Sequence, residues 1–149
     1  METDATIDIL LAHKGSQVWS IGPRATVFEA IKMMADRNVG ALLVTEGEKL
    51  VGIISERDYT RNVVLKGKSS RETPVIEITS PKPVVAHPKD KVVDCMRLMT
   101  QKRVRHLPVM NGDEILGVIS IGDLVNWTIS AQSAAIDQLH KYISGEYPG

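Results

Sequence analysis

Two short motifs carry the groups best suited to bind a ligand: Ser55-x-x-Asp58 and, 65 residues later, Ser120-x-x-Asp123. A serine three residues before an acid is typical of a helix N-terminus, where serine caps the first turn and the helix dipole favours the carboxylate. A helix N-terminus also presents free backbone N–H groups that attract phosphate. A carboxylate there can accept hydrogen bonds from both hydroxyls of a ribose. Capping alone would explain the spacing, so the motifs need support from their context.

Cationic residues accompany both motifs. Arg57 lies inside the first one, and Arg105 and His106 directly precede an apolar segment that predicts a buried strand; Arg103 is a further cation nearby. Arginine suits phosphate because its planar fork donates two hydrogen bonds at once. The alternative is a solvated charged edge, the usual place of such residues. Arg57, Arg105 and His106 are therefore the candidates for phosphate contact.

Other reactive patterns fail on inspection. The Gly-Lys-Ser at residues 67–69 resembles the end of a P-loop, but Asn62 stands where the upstream glycine is required. The four histidines lack metal-ligand spacing, and the single cysteine, Cys95, falls on an apolar helical face. We expect no catalytic residues, no metal site and no nucleotide hydrolysis.

The two motifs belong to an internal repeat. A shift of 65 residues aligns residues 20–64 with residues 85–129 without a gap, and eleven of the 45 positions are identical. Chance matches would not keep turns, strands and charged ends in phase. The chain therefore contains two copies of one unit.

Each copy predicts an extended piece, a helix, a hairpin and a second helix. In the first copy, apolar residues recur at i, i+3, i+4 and i+7 from Val27, after a capping box at Thr26 and Glu29. Strands are predicted at 41–45 and 50–55, and the second helix begins at the Ser-x-x-Asp motif. The fold class is α/β of the α+β kind: two pseudo-symmetric units, each a small sheet with helices. Pairing them covers the apolar surface that either unit alone would expose and creates two equivalent clefts.

The segments outside the two units set the expected boundaries. Residues 67–83 are rich in Ser, Thr, Lys and Pro, which predicts a linker. Within it, the stretch at 75–78 resembles the stretch at 7–10. An offset of 69 aligns Ile7 with Ile76, so the first copy would carry four extra residues around positions 12–15. The division predicted is 1–66 for the first repeat with its N-terminal segment, 67–83 for the linker, 84–129 for the second repeat, and 130–149 for a C-terminal amphipathic helix and tail with Ile136, Leu139 and Ile143 at helical spacing.

Composition limits the classes of function. Eighteen basic and eighteen acidic side chains cancel, so nothing favours nucleic acid or an anionic membrane as a partner. The sequence contains no apolar run of about 18 residues, which is the length needed to span a bilayer. The N-terminus is acidic where a signal peptide would be basic, and one cysteine rules out an intrachain disulfide framework. We expect a cytoplasmic globular protein with neither a membrane nor a nucleic-acid partner.

Within this repeat, the motifs resemble a known family. Gly-Ile-Ile-Ser-Glu-Arg-Asp at 52–58 and Gly-Val-Ile-Ser-Ile-Gly-Asp at 117–123 look like the Gly-φ-φ-Ser/Thr-x-x-Asp signature of cystathionine β-synthase (CBS) domains. Arg-His-Leu-Pro-Val at 105–109 is typical of the second repeat in such tandem proteins. The resemblance extends from about residue 7 to residue 127. Ile78-Thr79 departs from it, because many members carry Met-Thr there.

The resemblance implies a CBS pair, also called a Bateman module, with AMP, ADP, ATP, NAD or S-adenosylmethionine in clefts between the repeats. It further implies a homodimer and a regulatory, signal-transducing role that acts on an effector protein. Backbone groups at the entry of each unit would meet the adenine edge, and apolar side chains would cover its faces. The nucleotide-binding residues it indicates are Ser20, Ile21, Ala41, Leu42, Ser55, Arg57, Asp58, Val85, Arg105, His106, Leu107, Ser120 and Asp123.

The two clefts are expected to differ. Arg105 and His106 align with Gly40 and Ala41, whereas Arg57 aligns with Gly122. If phosphate reaches across to the other unit, Arg57 would share it with Arg105 and His106, which leaves one cleft rich in positive charge and the other poor. The main alternative function is a protein-interaction module with vestigial clefts. An enzyme is a third reading, and the lack of a catalytic constellation argues against it.

Overall fold

Helices and strands follow the same order in both copies of the repeat. The structure, a computed structural model, describes residues 5–15 and 17–144. The elements up to the end of the first copy are α1 (Ile7–Lys14), β1 (Ser20–Ile21), α2 (Val27–Arg37), β2 (Ala41–Glu46), β3 (Lys49–Ser55) and α3 (Glu56–Tyr59), which a π-helical turn (Thr60–Val64) extends. A 3₁₀ turn (Val75–Glu77), β4 (Ser80–Pro81), α4 (Val92–Lys102), β5 (His106–Asn111), β6 (Glu114–Ser120) and α5 (Ile121–Ser144) follow.

The predicted 65-residue repeat is confirmed in local detail. Helix α4 and the β5–β6 hairpin begin and end 65 residues after α2 and the β2–β3 hairpin. Both hairpins have an irregularity at the equivalent place, after Val44 and after Val109. Helices α2 and α4 both end at a left-handed residue with φ 55°, Asn38 and Arg103. Each helix therefore turns into its following strand in the same way.

Two small sheets form the α/β architecture that the sequence predicts. The first has the order β1-β2-β3-β4, in which β1 is parallel to β2 and the other pairs are antiparallel. The second consists of β5 and β6. Beside it, Ala86 forms a parallel bridge to Val109, as Ile21 does to Val44 in the first sheet. The entry segment of each copy thus lies along the hairpin of its own unit.

Each unit's core is completed by a segment that precedes the other copy. Helix α1, although it comes before the first copy, buries Ile7 and Leu10 in the second unit's core. The turn Val75–Glu77, which comes before the second copy, buries Val75 in the first unit's core. Segments 5–14 and 73–78 are therefore exchanged between the units.

The backbone hydrogen bonds of these segments correct the predicted offset of 69. Ile7 N donates to Asp90 O at 2.9 Å, and Val75 N donates to Ala25 O at 2.7 Å, so Ile7 corresponds to Val75 at an offset of 68. The sequence comparison had matched Ile7 with Ile76 by identity, but Ile76 is 45% exposed whereas Ile7 and Val75 are fully buried. The first copy therefore carries three extra residues and not four.

Two of the predicted segments are continuous in the structure with the units beside them. The segment 67–83 does more than link the copies, because Val75 and Ile78 belong to the first core and β4 extends the first sheet. The boundary at residue 130 falls inside α5, which is a single helix of 24 residues. Among the described side chains of this helix, the large apolar ones that are more than half exposed are Ile129, Ile136, Leu139 and Ile143. No helix among the described residues is long and apolar enough to cross a membrane.

Equivalent glycines in β3 and β6 offer a matched test of how the segments before each copy pack, because Gly52 faces Thr79 and Ser80 whereas Gly117 faces Leu11. A Cβ at Gly52 would clash with Thr79 Cγ2 and lie 2.6 Å from the backbone oxygen of Ser80, whereas a Cβ at Gly117 would lie 3.0 Å from Leu11 Cδ2. Backbone cannot move aside as a leucine side chain can. We expect Gly52→Ala to reduce the free energy of unfolding by about 3 kcal/mol and Gly117→Ala by about 1 kcal/mol. Urea denaturation of both variants measures this, and equal losses would contradict the packing described.

Candidate functional site

A cavity of about 670 Å³ lies between the two units. Its lining comes from four places: the turn between α2 and β2, the stretch from β3 through α3 into the π-helical turn, the segment from β4 into the second copy, and the turn between α4 and β5. The residues that line it are Gly40, Ile53, Ser55, Glu56, Arg57, Asp58, Thr60, Arg61, Ser80, Lys82, Pro83, Val84, Arg103, Val104, Arg105 and His106. Of the predicted site residues, the cavity brings together Ser55, Arg57, Asp58, Arg105 and His106.

The first motif forms the predicted helix cap at the wall of this cavity. Asp58 N donates to Ser55 Oγ at 3.2 Å, and Ser55 N donates to Asp58 Oδ2 at 2.9 Å, so the two residues make a capping box. The Ser55 hydroxyl also donates to Oδ2 at 3.0 Å. Within the described ranges, no residue donates to Asp58 Oδ1, so capping leaves one carboxylate oxygen available to a ligand. Capping and ligand binding are therefore compatible at this residue.

Positive charge dominates the cavity lining. Five arginine and lysine side chains line it against two carboxylates, Glu56 and Asp58. Arg57 Nη1 donates to the backbone oxygen of Arg103 at 2.9 Å, which ties the first unit to the second. Because like charges gathered around one cavity repel each other, this arrangement favours an anionic occupant.

His106 lies among these cations, and its surroundings disfavour the charged form of its ring. Burial lowers the pKa of its imidazole, and the nearby charge of Lys14 lowers it further; Asp123 opposes the shift and Arg105 adds to it. The ring packs close to Gly40, where a Cβ would stand 3.3 Å from His106 Cε1 and 3.4 Å from Glu56 Oε1. This shift favours the neutral imidazole as a hydrogen-bonding group of the cavity lining, and contact of His106 with phosphate stays a prediction.

The second motif has the same cap but different surroundings. Ser120 N donates to Asp123 Oδ2 at 2.7 Å, and Asp123 N donates to Ser120 Oγ at 3.1 Å. Lys14 Nζ lies 2.5 Å from the same Oδ2 and donates to the backbone oxygen of Val118 at 2.6 Å. This ion pair, together with the hydrogen bond from Ser120, holds the pKa of Asp123 below its ordinary value although burial opposes the shift. The carboxylate is thus already paired within the chain.

The CBS-domain family model matches residues 14–65 and 75–130. The chain belongs to the CBS-domain family. The mitochondrial CBS domain-containing protein CBSX3 of Arabidopsis thaliana is 39% identical over 138 residues, which cover 89% of this chain. This chain spans 66% of that relative's length.

Two solved structures of CBS proteins share this fold. One is a candidate signal-transduction protein with CBS domains from Burkholderia ambifaria MC40-6, with 42% identity and a TM-score of 0.83 over 86% of this chain and 96% of that one. The other is the CBS domain protein PAE2072 from Pyrobaculum aerophilum, solved in complex with AMP. It has 27% identity and a TM-score of 0.71 over 80% of this chain and 89% of that one.

Several residues predicted for nucleotide binding do not line the cavity between the CBS repeats. The side chains of Leu42 and Leu107 are buried in the two cores, and Ile21 is buried in the first. Ser20 is exposed, whereas Ala41 and Val85 are half-buried. The remaining two, Ser120 and Asp123, belong to the other CBS motif. Ligand contacts from these eight residues stay predictions.

Sequence reasoning missed two cations of the cavity, Arg61 and Lys82. Arg61 lies one helical turn after Arg57, and this spacing could have indicated a shared face. Lys82 corresponds to Lys14 at the offset of 68, so the corrected alignment would have shown a lysine before each repeat.

Two further sequence-based expectations concern metal and thiol chemistry. In residues 5–15 and 17–144, no group of three or more His, Cys, Asp and Glu side chains could hold a metal ion. Burial, with smaller contributions from Asp90 and Asp94, raises the pKa of the Cys95 thiol to about 11. The thiolate that would react as a nucleophile is therefore disfavoured at this position.

The Lys14–Asp123 ion pair predicts a pH-dependent contribution to stability. Because the folded-state pKa of Asp123 is lowered, the contribution is present above the ordinary carboxyl pKa and lost as the pH falls through the lowered value. We expect Lys14→Met to lower the free energy of unfolding by about 1 kcal/mol at pH 7, since the pair is partly exposed. The difference from the native chain should shrink below a pH of about 4.

Urea titrations across this pH range measure the difference. Lys66→Met, at an exposed lysine with no ion pair in the described part of the chain, is the control. A difference for Lys14→Met that stays constant from pH 7 down to pH 3 would contradict the role assigned to the pair.

Proposed function

We propose that this CBS pair is a regulatory module that binds an adenine nucleotide in the cavity between its repeats. The observation that carries the proposal is the placement of Asp58 and five cationic side chains around one cavity of about 670 Å³. This volume is in the range of small-molecule and cofactor sites. Asp58 would accept hydrogen bonds from the ribose, and Arg57 and Arg105 would bind phosphate.

The relatives support an adenosine-containing ligand and a regulatory role. PAE2072 was solved with AMP, and CBS-domain proteins are generally regulatory. Among AMP, ADP, ATP, NAD and S-adenosylmethionine, the cationic lining favours the phosphate-bearing ligands, because S-adenosylmethionine carries a sulfonium cation. A nucleotide that contacts both repeats would favour one relative arrangement of them, limited by its differential affinity for the two arrangements.

Substitutions in the cavity test the proposal. We expect Asp58→Ala and Arg105→Ala each to weaken AMP binding tenfold or more, since a charge-assisted hydrogen bond contributes about 1.5–3 kcal/mol. Isothermal titration measures the affinities. Asp36→Ala and Arg24→Ala are matched controls, because both residues are exposed, form ion pairs elsewhere and do not line the cavity.

Salt separates phosphate recognition from recognition of adenosine. AMP affinity should fall as ionic strength rises, while adenosine affinity changes little, because exposed charge contacts are screened over about 8–10 Å. If Asp58→Ala and Arg105→Ala both bound AMP as tightly as the native chain, the role of Asp58 would be limited to capping its helix. This result would also favour the alternative function, a protein-interaction module, for which the exposed apolar face of α5 offers a surface.

We also propose that the module is a homodimer in which a second copy covers the apolar face of α5. Ile129, Ile136 and Ile143 repeat every seven residues along one side of the helix and are more than half exposed. We expect light scattering at micromolar concentration to give the mass of a dimer. Ile136→Glu should convert it to a monomer, whereas His140→Glu, at an exposed polar position of the same helix, should not. A monomeric mass for the native chain, with and without AMP, would refute the dimer.

A further inference from the structure

The carboxylate of the second CBS motif is bound by a lysine of the same chain, Lys14. In the first motif, the equivalent carboxylate faces the cavity. Lys14 Nζ contacts two groups, the carboxylate of Asp123 at 2.5 Å and the backbone oxygen of Val118 at 2.6 Å. At the repeat offset of 65, these correspond to Asp58 and Ile53, and both of those residues line the first cavity. Lys14 therefore lies where a ligand of the second cleft would have to bind.

The position of Lys14 follows from the packing of α1. Lys14 is the last residue of this helix, and Ile7 and Leu10 on the same helix are buried in the second core. At the other end, Asp8 pairs with Lys89, with Oδ2 and Nζ 2.7 Å apart. Near Lys14, the His13 ring packs against Trp127 with ring centroids 5.2 Å apart. The lysine thus sits on a helix anchored at both ends.

The first cleft contains the equivalent lysine in a different arrangement. Lys82 corresponds to Lys14 at an offset of 68, but it follows the short strand β4 instead of ending a helix. It is exposed and lines the cavity, and within residues 5–15 and 17–144 no lysine or arginine forms an ion pair with Asp58. The two leading segments therefore place equivalent lysines differently: one pairs with its motif carboxylate and the other does not.

A lysine ammonium on Asp123 competes with a ribose for the same carboxylate. Its Nζ uses Oδ2, the oxygen that also accepts from Ser120 N, and only 25% of the Asp123 side chain remains exposed. Within the described ranges no residue donates to Asp123 Oδ1, so Lys14 hinders a ligand by occupying the space and the negative charge in front of the carboxylate. A ligand that takes the place of the Lys14 ammonium would have to displace it from both of its acceptors. Such a displacement is costly.

We propose that Lys14 is an internal competitor that closes the second cleft, so that the module binds one nucleotide per chain, in the cleft of Asp58. The inference rests on the proposed function, because it takes the two motifs to be nucleotide sites. On this inference, the two clefts differ mainly because α1 is long and helical enough to bring Lys14 onto Asp123. The residue differences at aligned positions of the two repeats contribute less.

The test is the binding stoichiometry of the full chain. Isothermal titration with AMP should give one site per chain for the native protein and for Lys14→Arg, which keeps the cation. Lys14→Met and Lys14→Gln should open a second site, or strengthen weak second-site binding at least tenfold. Adding Asp123→Ala to Lys14→Met should remove that second site again.

Lys89→Met is the matched control, because it removes the ion pair at the other end of α1 and leaves the cleft untouched. It should keep one site. Far-UV circular dichroism shows whether each variant is folded, and the two replacements of Lys14 guard against failure of either one.

The outcomes separate this inference from the proposed function. Two equal AMP sites in the native chain would overturn the inference. It would also be overturned if Lys14→Met and Lys14→Gln both failed to gain a second AMP site or to strengthen one. A native chain that binds no AMP would overturn the assignment of the Asp58 cleft, and a site gained in Lys14→Met would still support the closure by Lys14.

Discussion

The fold depends on one constraint: the first long helix of each repeat, α2 or α4, has to be covered by a chain segment that lies outside that repeat. Val27 N at the start of α2 donates to Thr73 O, and Val92 N at the start of α4 donates to Ala5 O, both at 2.9 Å. These N–H groups have no partner within their own helices. The same two segments bring Val75 and Ile7 into the cores. Because the segments are exchanged, neither unit has a complete core without a chain segment that leads into the other repeat.

This exchange also breaks the symmetry of the pair. The repeats themselves keep one offset through helices, hairpin irregularities and left-handed helix ends, but the leading segments differ in form. Before the first repeat, eight residues form α1; before the second, a single 3₁₀ turn and a two-residue strand follow a similar path. The helix brings Lys14 onto Asp123, while the strand leaves Lys82 beside a cavity that contains Asp58. Inequality between two equivalent motifs thus originates in segments that lie outside the family signature.

Sequence periodicity predicted the elements well because it reports local burial. The repeat, the hairpins and the Ser-x-x-Asp caps follow from spacing alone, and family resemblance placed Asp58, Arg57 and Arg105 in one cleft. Features that depend on which segment packs against which unit were harder to predict from the sequence. Identity favoured Ile76 over Val75 as the match of Ile7, although burial decides the register. The continuity of α5 past residue 130 was missed because an apolar stripe shows helical spacing but not where one helix ends. Lys14 showed no signal, since its partner is 109 residues away.

If the module acts as proposed, the positive charge in the open cleft would link ligand binding to regulation. Arg57 reaches from the first repeat to the Arg103 carbonyl of the second, so cationic side chains of both repeats meet across a partly solvated gap. Their mutual repulsion acts against the approach of the repeats, and a bound anion of sufficient charge would cancel it. Part of the binding free energy of the ligand would then stabilise the close arrangement of the two repeats, and this part would increase with the number of phosphates on the ligand. A ligand without phosphate would leave the repulsion in place and discriminate little between arrangements of the repeats, since a ligand shifts an equilibrium only by its differential affinity. Under the proposed function, the cations would determine which ligands can act as signals as well as which ligands bind.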